Sequence, residues 1–181
     1  MKMCHQIWMI YFNKKNFGVL LMKQAYITLV GRSAWAVVNS YYFMIHERKC
    51  DPDLVLVFVE ELFQDKIDWI IEGITVVNEA FGVDATIETN LVGNARYVPS
   101  GVEVSHRLKQ LKEDGFEICL DVTPGRKALV AASLISAYKT GIDHVFYLAV
   151  DEIRDIPLLM KPKNTFHFRD FMTEVRRELD D

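Results

Sequence analysis

The chain is poor in cysteine. It has three in 181 residues, Cys4, Cys50 and Cys119, and no two stand at CxxC spacing. That argues against a disulfide framework or a cysteine zinc site and fits a reducing cytoplasm. Cys119 lies in an apolar run and reads as a buried core thiol. The five histidines, His5, His46, His106, His144 and His167, lack metal spacing, so none reads as a ligand and no metal is expected. Excess positive charge is also missing. The formal net charge is −4, a poor balance for coating long nucleic acid, which needs a broad basic face. A local basic pocket for a small anion stays open. No run approaches the ~20 apolar residues that cross a bilayer.

The N-terminus carries two greasy stretches, Gln6–Phe12 and Phe17–Met22, split by Asn13-Lys14-Lys15-Asn16. Neither an unbroken apolar core nor a small-residue cleavage site is visible. Residues 1–22 therefore read as an extension, either a hairpin turning at Asn13–Asn16 or a poorly specified leader. A membrane anchor stands well behind both.

From Ala25 onward strand and helix signals alternate. Ala25–Val30, Leu54–Val59, Phe116–Val122 and Asp143–Val150 read as strands, and Ala85–Leu91 as a weaker, more polar one. Helical spacing marks Ala34–His46, Asp65–Phe81, Val102–Asp114 and Arg126–Thr140. Val92–Gly101 reads as a loop, and Gly82, Gly115 and Gly141 as helix stops. A short strand at Thr165–Phe168 and a charged helix to Asp181 complete the pattern. The order predicts a Rossmann-like α/β fold: one domain, a doubly wound, mainly parallel sheet, helices on both faces. The domain would span 23–151, with a C-terminal segment over 152–181.

In such sheets ligands sit outside the carboxyl ends of the strands, where strand order reverses. Two turns fall there, Gly31-Arg32-Ser33 and Thr123-Pro124-Gly125-Arg126-Lys127. The second joins a strand to a small-residue helix. It combines a hydroxyl, a glycine and two cations with the unpaired N–H groups of a helix N-terminus, which makes an anion site, most often for phosphate. Its spacing is not the Walker pattern, and no Gly-x-Gly-x-x-Gly follows the first strand.

With these turns the chain resembles the CRISPR-associated Rossmann-fold (CARF) family. Members often carry a Thr-Gly-Gly-Thr-Lys-type sequence after the fourth strand. Here Pro124 stands for the first Gly and Arg126 for the second hydroxyl. The resemblance covers roughly Ala25 to Asp151. It implies a cytoplasmic homodimer that binds cyclic oligoadenylate, cyclic tetra-adenylate favoured, across its two-fold axis in type III CRISPR antiviral defence. With only some thirty residues after Asp151, it further implies a stand-alone ring nuclease that cuts the messenger without metal or cofactor.

On this reading Lys127 and Ser33 are the catalytic candidates. Gly31, Arg32, Ser33, Thr123, Pro124, Gly125, Arg126, Lys127 and Asn90 form the ligand set. Lys127 would touch a phosphate oxygen and Arg126 could add a bidentate contact. Ser33 is otherwise a plain N-cap, and Lys127 a solvated first-turn lysine. Asp121 reads as an Asx-type turn former. Asn90 and Glu60 could reach an adenine edge or a ribose, although loop polarity explains both more simply. Glu60-Glu61 reads as the start of a solvated helix face. Arg96 and Tyr97 fall in the longest loop, where a lid would sit. The competing readings are a sensor that binds the ring without cutting it, an ordinary nucleotide-binding Rossmann protein, and an assembly module with an empty pocket.

Overall fold

The computed structural model describes residues 22–47, 49–150, 156–158 and 166–180. The expected hairpin or leader lies outside this set, Met22 excepted. A six-stranded sheet has the order β3-β2-β1-β4-β5-β6. Its strands are β1 (Lys23–Val30), β2 (Leu54–Glu60), β3 (Thr86–Val92), β4 (Phe116–Asp121), β5 (His144–Val150) and β6 (Phe166–Asp170). The first five pair in parallel and β6 runs antiparallel to β5. The helices are α1 (Ala34–His46), α2 (Ile67–Phe81), α3 (Tyr97–Glu113), α4 (Lys127–Ala137) and α5 (Phe171–Asp180). No helix among the described residues is long and apolar enough to cross a membrane.

The alternation of side chains along β1 and β2 builds two cores. Tyr26, Val30, Val55, Val57 and Val59 pack with α1 and α2 on one face. Ala25, Ile27, Leu29, Leu54, Leu56 and Phe58 pack with α3 and α4 on the other. All seven residues of β2 are buried, as its unbroken apolar run predicts. The sheet is therefore doubly wound. Cys119 and Cys50 are both buried free thiols.

Several boundaries differ from the sequence reading; the fourth helix, for one, ends at Ala137 rather than Thr140. A 3₁₀ segment over Glu61–Lys66 precedes α2, so the helix begins at Ile67 rather than Asp65. The expected loop over Val92–Gly101 is shorter, because α3 already begins at Tyr97. Pro99 and Gly101 argue against helix by propensity. Pro99 sits in the first turn, where its missing N–H is no loss. Gly101 is required by packing, since a Cβ there would lie 2.6 Å from the Ala132 carbonyl carbon. It lets α3 and α4 approach backbone to backbone.

The antiparallel β6 and α5 are fastened at the opposite end of the sheet from the strands' carboxyl ends. His144 Nδ1 lies 2.7 Å from Asp170 Oδ2, and Nε2 lies 3.1 Å from Glu117 Oε1. Asp170 also accepts from Val145 N at 3.3 Å and Met172 N at 3.2 Å. Burial alone would push the imidazole pKa down, but the two carboxylates overcome this and hold it above the ordinary 6.5.

Two outcomes follow from these contacts. Gly101→Val should lower unfolding free energy by about 1–3 kcal/mol through overpacking, read by urea denaturation. The raised His144 value means its bridges stabilise fully below the unfolded pKa, about 6.5, and are lost as pH rises through the folded value. The thermal midpoint should therefore fall more between about pH 6 and pH 8 in the wild type than in His144→Gln.

Candidate functional site

The strand order places β1 between β2 and β4, so the chain reverses direction across the sheet between β1 and β4. The turns after these two strands are in direct contact. A Cβ on Gly31 would lie 2.3 Å from the Pro124 carbonyl oxygen and 3.4 Å from Arg126 N. Only glycine permits that approach. Gly125 is equally confined, because its Cβ would lie 2.5 Å from Val130 Cγ2 and 3.1 Å from Leu29 Cβ. The two anion-site turns predicted from sequence thus form one surface at the crevice where open α/β sheets bind ligands.

A buried carboxylate supports this surface from below. Asp121 is fully buried at the end of β4. Its Oδ1 accepts from Thr123 N at 2.9 Å, the expected Asx-type turn. Its Oδ2 accepts from Tyr26 Oη at 2.7 Å and Thr28 Oγ1 at 3.4 Å. Burial raises the Asp121 pKa, partly offset by these donors. Burial and the adjoining carboxylate push the Tyr26 phenol well up, so the phenol keeps its proton and donates. Thr123 Oγ1 accepts from Leu148 N at 2.8 Å and lies 3.2 Å from Ser40 Oγ. Its hydroxyl is engaged inside the protein, tying the turn to β5.

Ser33 is the N-cap of α1 and accepts from Ala36 N at 3.0 Å. Arg32 is exposed, and its carbonyl accepts from Lys66 Nζ, which reaches across from the 3₁₀ segment. Beside this link Trp35 and Trp69, in the first turns of α1 and α2, meet edge to face with centroids 4.5 Å apart. Lys66 and the tryptophan pair were not legible as site neighbours, because they come from separate βα units with no motif between them.

On the other face Arg126 crosses the end of β1. Its Nη1 lies 3.0 Å from Glu60 Oε2, and its Nη2 donates to Tyr97 Oη. The guanidinium also sits 5.1 Å from the Tyr97 ring centroid. Glu60 corrects the sequence reading: Glu61 is exposed, but Glu60 is 1% exposed. As the last residue of β2 it continues the Leu54, Leu56, Phe58 face toward α3 and α4, and Arg126 neutralises it there. Tyr97 is not a loop residue but opens α3. It follows Ala95, whose φ of 56° places a non-glycine residue in the left-handed region, a conformation that costs about 1 kcal/mol or more.

Lys127 is the first residue of α4 and is exposed, and no acidic residue stands in that helix's first turn. The N-cap residue of α4, Arg126, makes no side-chain cap hydrogen bond. A cation beside the positive end of a helix dipole, without a counter-charge, favours an anion there. Asn90 is the outlier. It pairs in register with Phe58 on the edge strand β3, two strands from β1.

No protein-family model matches the chain, and no curated protein sequence matches it. Solved structures do share the fold. Can2 from Sulfobacillus thermosulfidooxidans, in complex with cyclic tetra-adenylate, aligns with a TM-score of 0.52 at 15% identity, over 68% of this chain and 31% of its own. Csm6 from Enterococcus italicus, bound to cyclic hexa-2′-fluoro-hexa-dAMP, aligns with a TM-score of 0.55 at 12% identity, over 87% and 44%. VC1899 from Vibrio cholerae aligns at 0.54 and 8% identity, over 68% and 30%. The chain therefore spans less than half the length of each of these three.

The two cations of the second turn should separate in stability measurements. Arg126→Ala leaves the Glu60 charge buried without its partner and should destabilise by about 3–5 kcal/mol. Exposed Lys127→Ala should stay within about 0.5 kcal/mol of wild type. Urea unfolding of both variants checks this.

Proposed function

We propose that this protein binds a cyclic oligoadenylate, with cyclic tetra-adenylate favoured, and acts in type III CRISPR antiviral defence. The observation that carries the reading is the direct contact of the Gly31–Ser33 and Thr123–Lys127 turns beneath an α4 N-terminus bearing exposed Lys127. Such a surface suits phosphate. The fold is shared with proteins solved with cyclic tetra-adenylate and a cyclic hexa-adenylate analogue. A cytoplasmic homodimer would set two such surfaces around one two-fold axis, and a ring with several phosphates would meet both.

Cleavage needs little from the protein. The ribose 2′-oxygen attacks its own 3′-phosphorus, and the bond from phosphorus to the neighbouring 5′-oxygen breaks. The 2′-hydroxyl proton leaves, the 5′-oxygen gains one, and a 2′,3′-cyclic phosphate remains. Atoms and charge balance with no metal or co-reactant. The chain's part is to hold the ribose in line and stabilise charge on the phosphorane. Lys127 would supply the charge, and Ser33 a hydrogen bond from the facing turn.

A second reading is a sensor that binds the ring without cutting it and acts through a partner. The apolar residues of α5 favour it, with Val175 54% and Leu179 80% exposed beside Arg176, Arg177, Glu178 and Asp180.

Incubation with cyclic tetra- and hexa-adenylate, with products resolved, tests both. The expected result is binding, with linear products from the wild type. Lys127→Ala should bind at least about tenfold more weakly through loss of a charge-assisted contact worth about 1.5–3 kcal/mol. Binding without products leaves the sensor. Binding of neither ring overturns the ligand class.

A further inference from the structure

Two carboxylates are buried at the carboxyl edge of the sheet, and they are satisfied differently. Both oxygens of Asp121 accept hydrogen bonds. Glu60 is 1% exposed, its Oε2 holds Arg126, and its Oε1 is buried with no hydrogen-bond partner among the described residues. An unpartnered buried acceptor costs about 1–3 kcal/mol, more when charged. Native structures keep few of them, and each that persists calls for an explanation such as a functional role or a bound water or ion. Glu60 is bridged by Arg126, 30% exposed, which in turn meets half-buried Tyr97. Arg126 itself belongs to the turn assigned to phosphate. The orphan oxygen thus lies one side chain away from the anion surface.

We propose that Glu60 Oε1 accepts a hydrogen bond from a nucleoside donor of the bound ring, the adenine amine or a ribose hydroxyl, and so selects the nucleotide. This rests on the cyclic-oligoadenylate reading above. A carboxylate is acceptor-only, so the complementary group is an N–H or O–H. Oε2 keeps Arg126 charge-balanced meanwhile, and Arg126 positions Glu60 between base or sugar and phosphate. A ligand without the donor would leave a buried charge unmet, and sites of this kind reject such analogues strongly.

The test measures binding by calorimetry with three rings: cyclic tetra-adenylate, the same ring built from unsubstituted purine, and the same ring with 2′-fluorine for each hydroxyl. The wild type should bind one analogue at least about tenfold more weakly than the parent. Loss with the purine ring identifies the amine, and loss with the fluorinated ring identifies the ribose hydroxyl. Glu60→Gln keeps an acceptor for Arg126 and turns an amide donor toward the ligand. It should bind the parent ring about as weakly as wild type binds the poor analogue, and no longer tell the two apart. Wild type that binds all three rings equally overturns the Glu60 assignment while leaving the ligand class standing, even if the variant fails to fold. Full discrimination retained by a folded Glu60→Gln overturns it too. No binding of any ring removes the ligand class and this assignment together.

Discussion

The Asp121 carboxylate fixes the place where the sheet changes direction. It sits at the end of β4, takes a hydroxyl from Tyr26 and one from Thr28 on β1, and holds the backbone of Thr123. The two central strands and the Thr123–Lys127 turn are thereby referred to one atom group. A buried carboxylate is tolerable only with donors of this kind around it. Because the donors come from β1 and from the turn itself, the turn cannot shift without unmaking them. Thr123 extends the same logic sideways to the Leu148 amide on β5.

Much of the fold was legible because each signal was repeated. β2 is apolar throughout and buried on both faces, and α2 carries a regular apolar stripe ending at Gly82, whose φ is 69°. Five parallel strands and their crossover helices followed from alternation alone. What escaped was packing at close range. Gly101 looks like a loop residue in any one-dimensional reading, yet it is a helical position that must be glycine because Ala132 occupies the space a side chain would need. Propensity has no access to a neighbour thirty-one positions away.

The site was legible in its backbone and less so in its side chains. Gly31, Ser33, Gly125 and Lys127 could be placed in turns and at helix starts because turn chemistry and helix ends are local properties. Glu60 could not, because its burial depends on a face continued from β2 and on an arginine sixty-six positions later. Tyr97 was misplaced into a loop for the same reason that Gly101 was. Lys66 reaches the Arg32 carbonyl from another βα unit. Adjacent Arg126 and Lys127 look equivalent in sequence. The structure gives them opposite duties, one spanning three turns and the other standing in solvent.

The backbone contact between α3 and α4 has a mechanical side. Helices separated by long side chains can slide as those side chains change rotamer. At Gly101 and Ala132 there are no rotamers to change, so α3 and α4 meet there as two rigid halves of one plate. Tyr97 opens one half of that plate and Lys127 the other. The tyrosine that meets Arg126 and the lysine beside that arginine thus stand at the openings of two helices that touch directly.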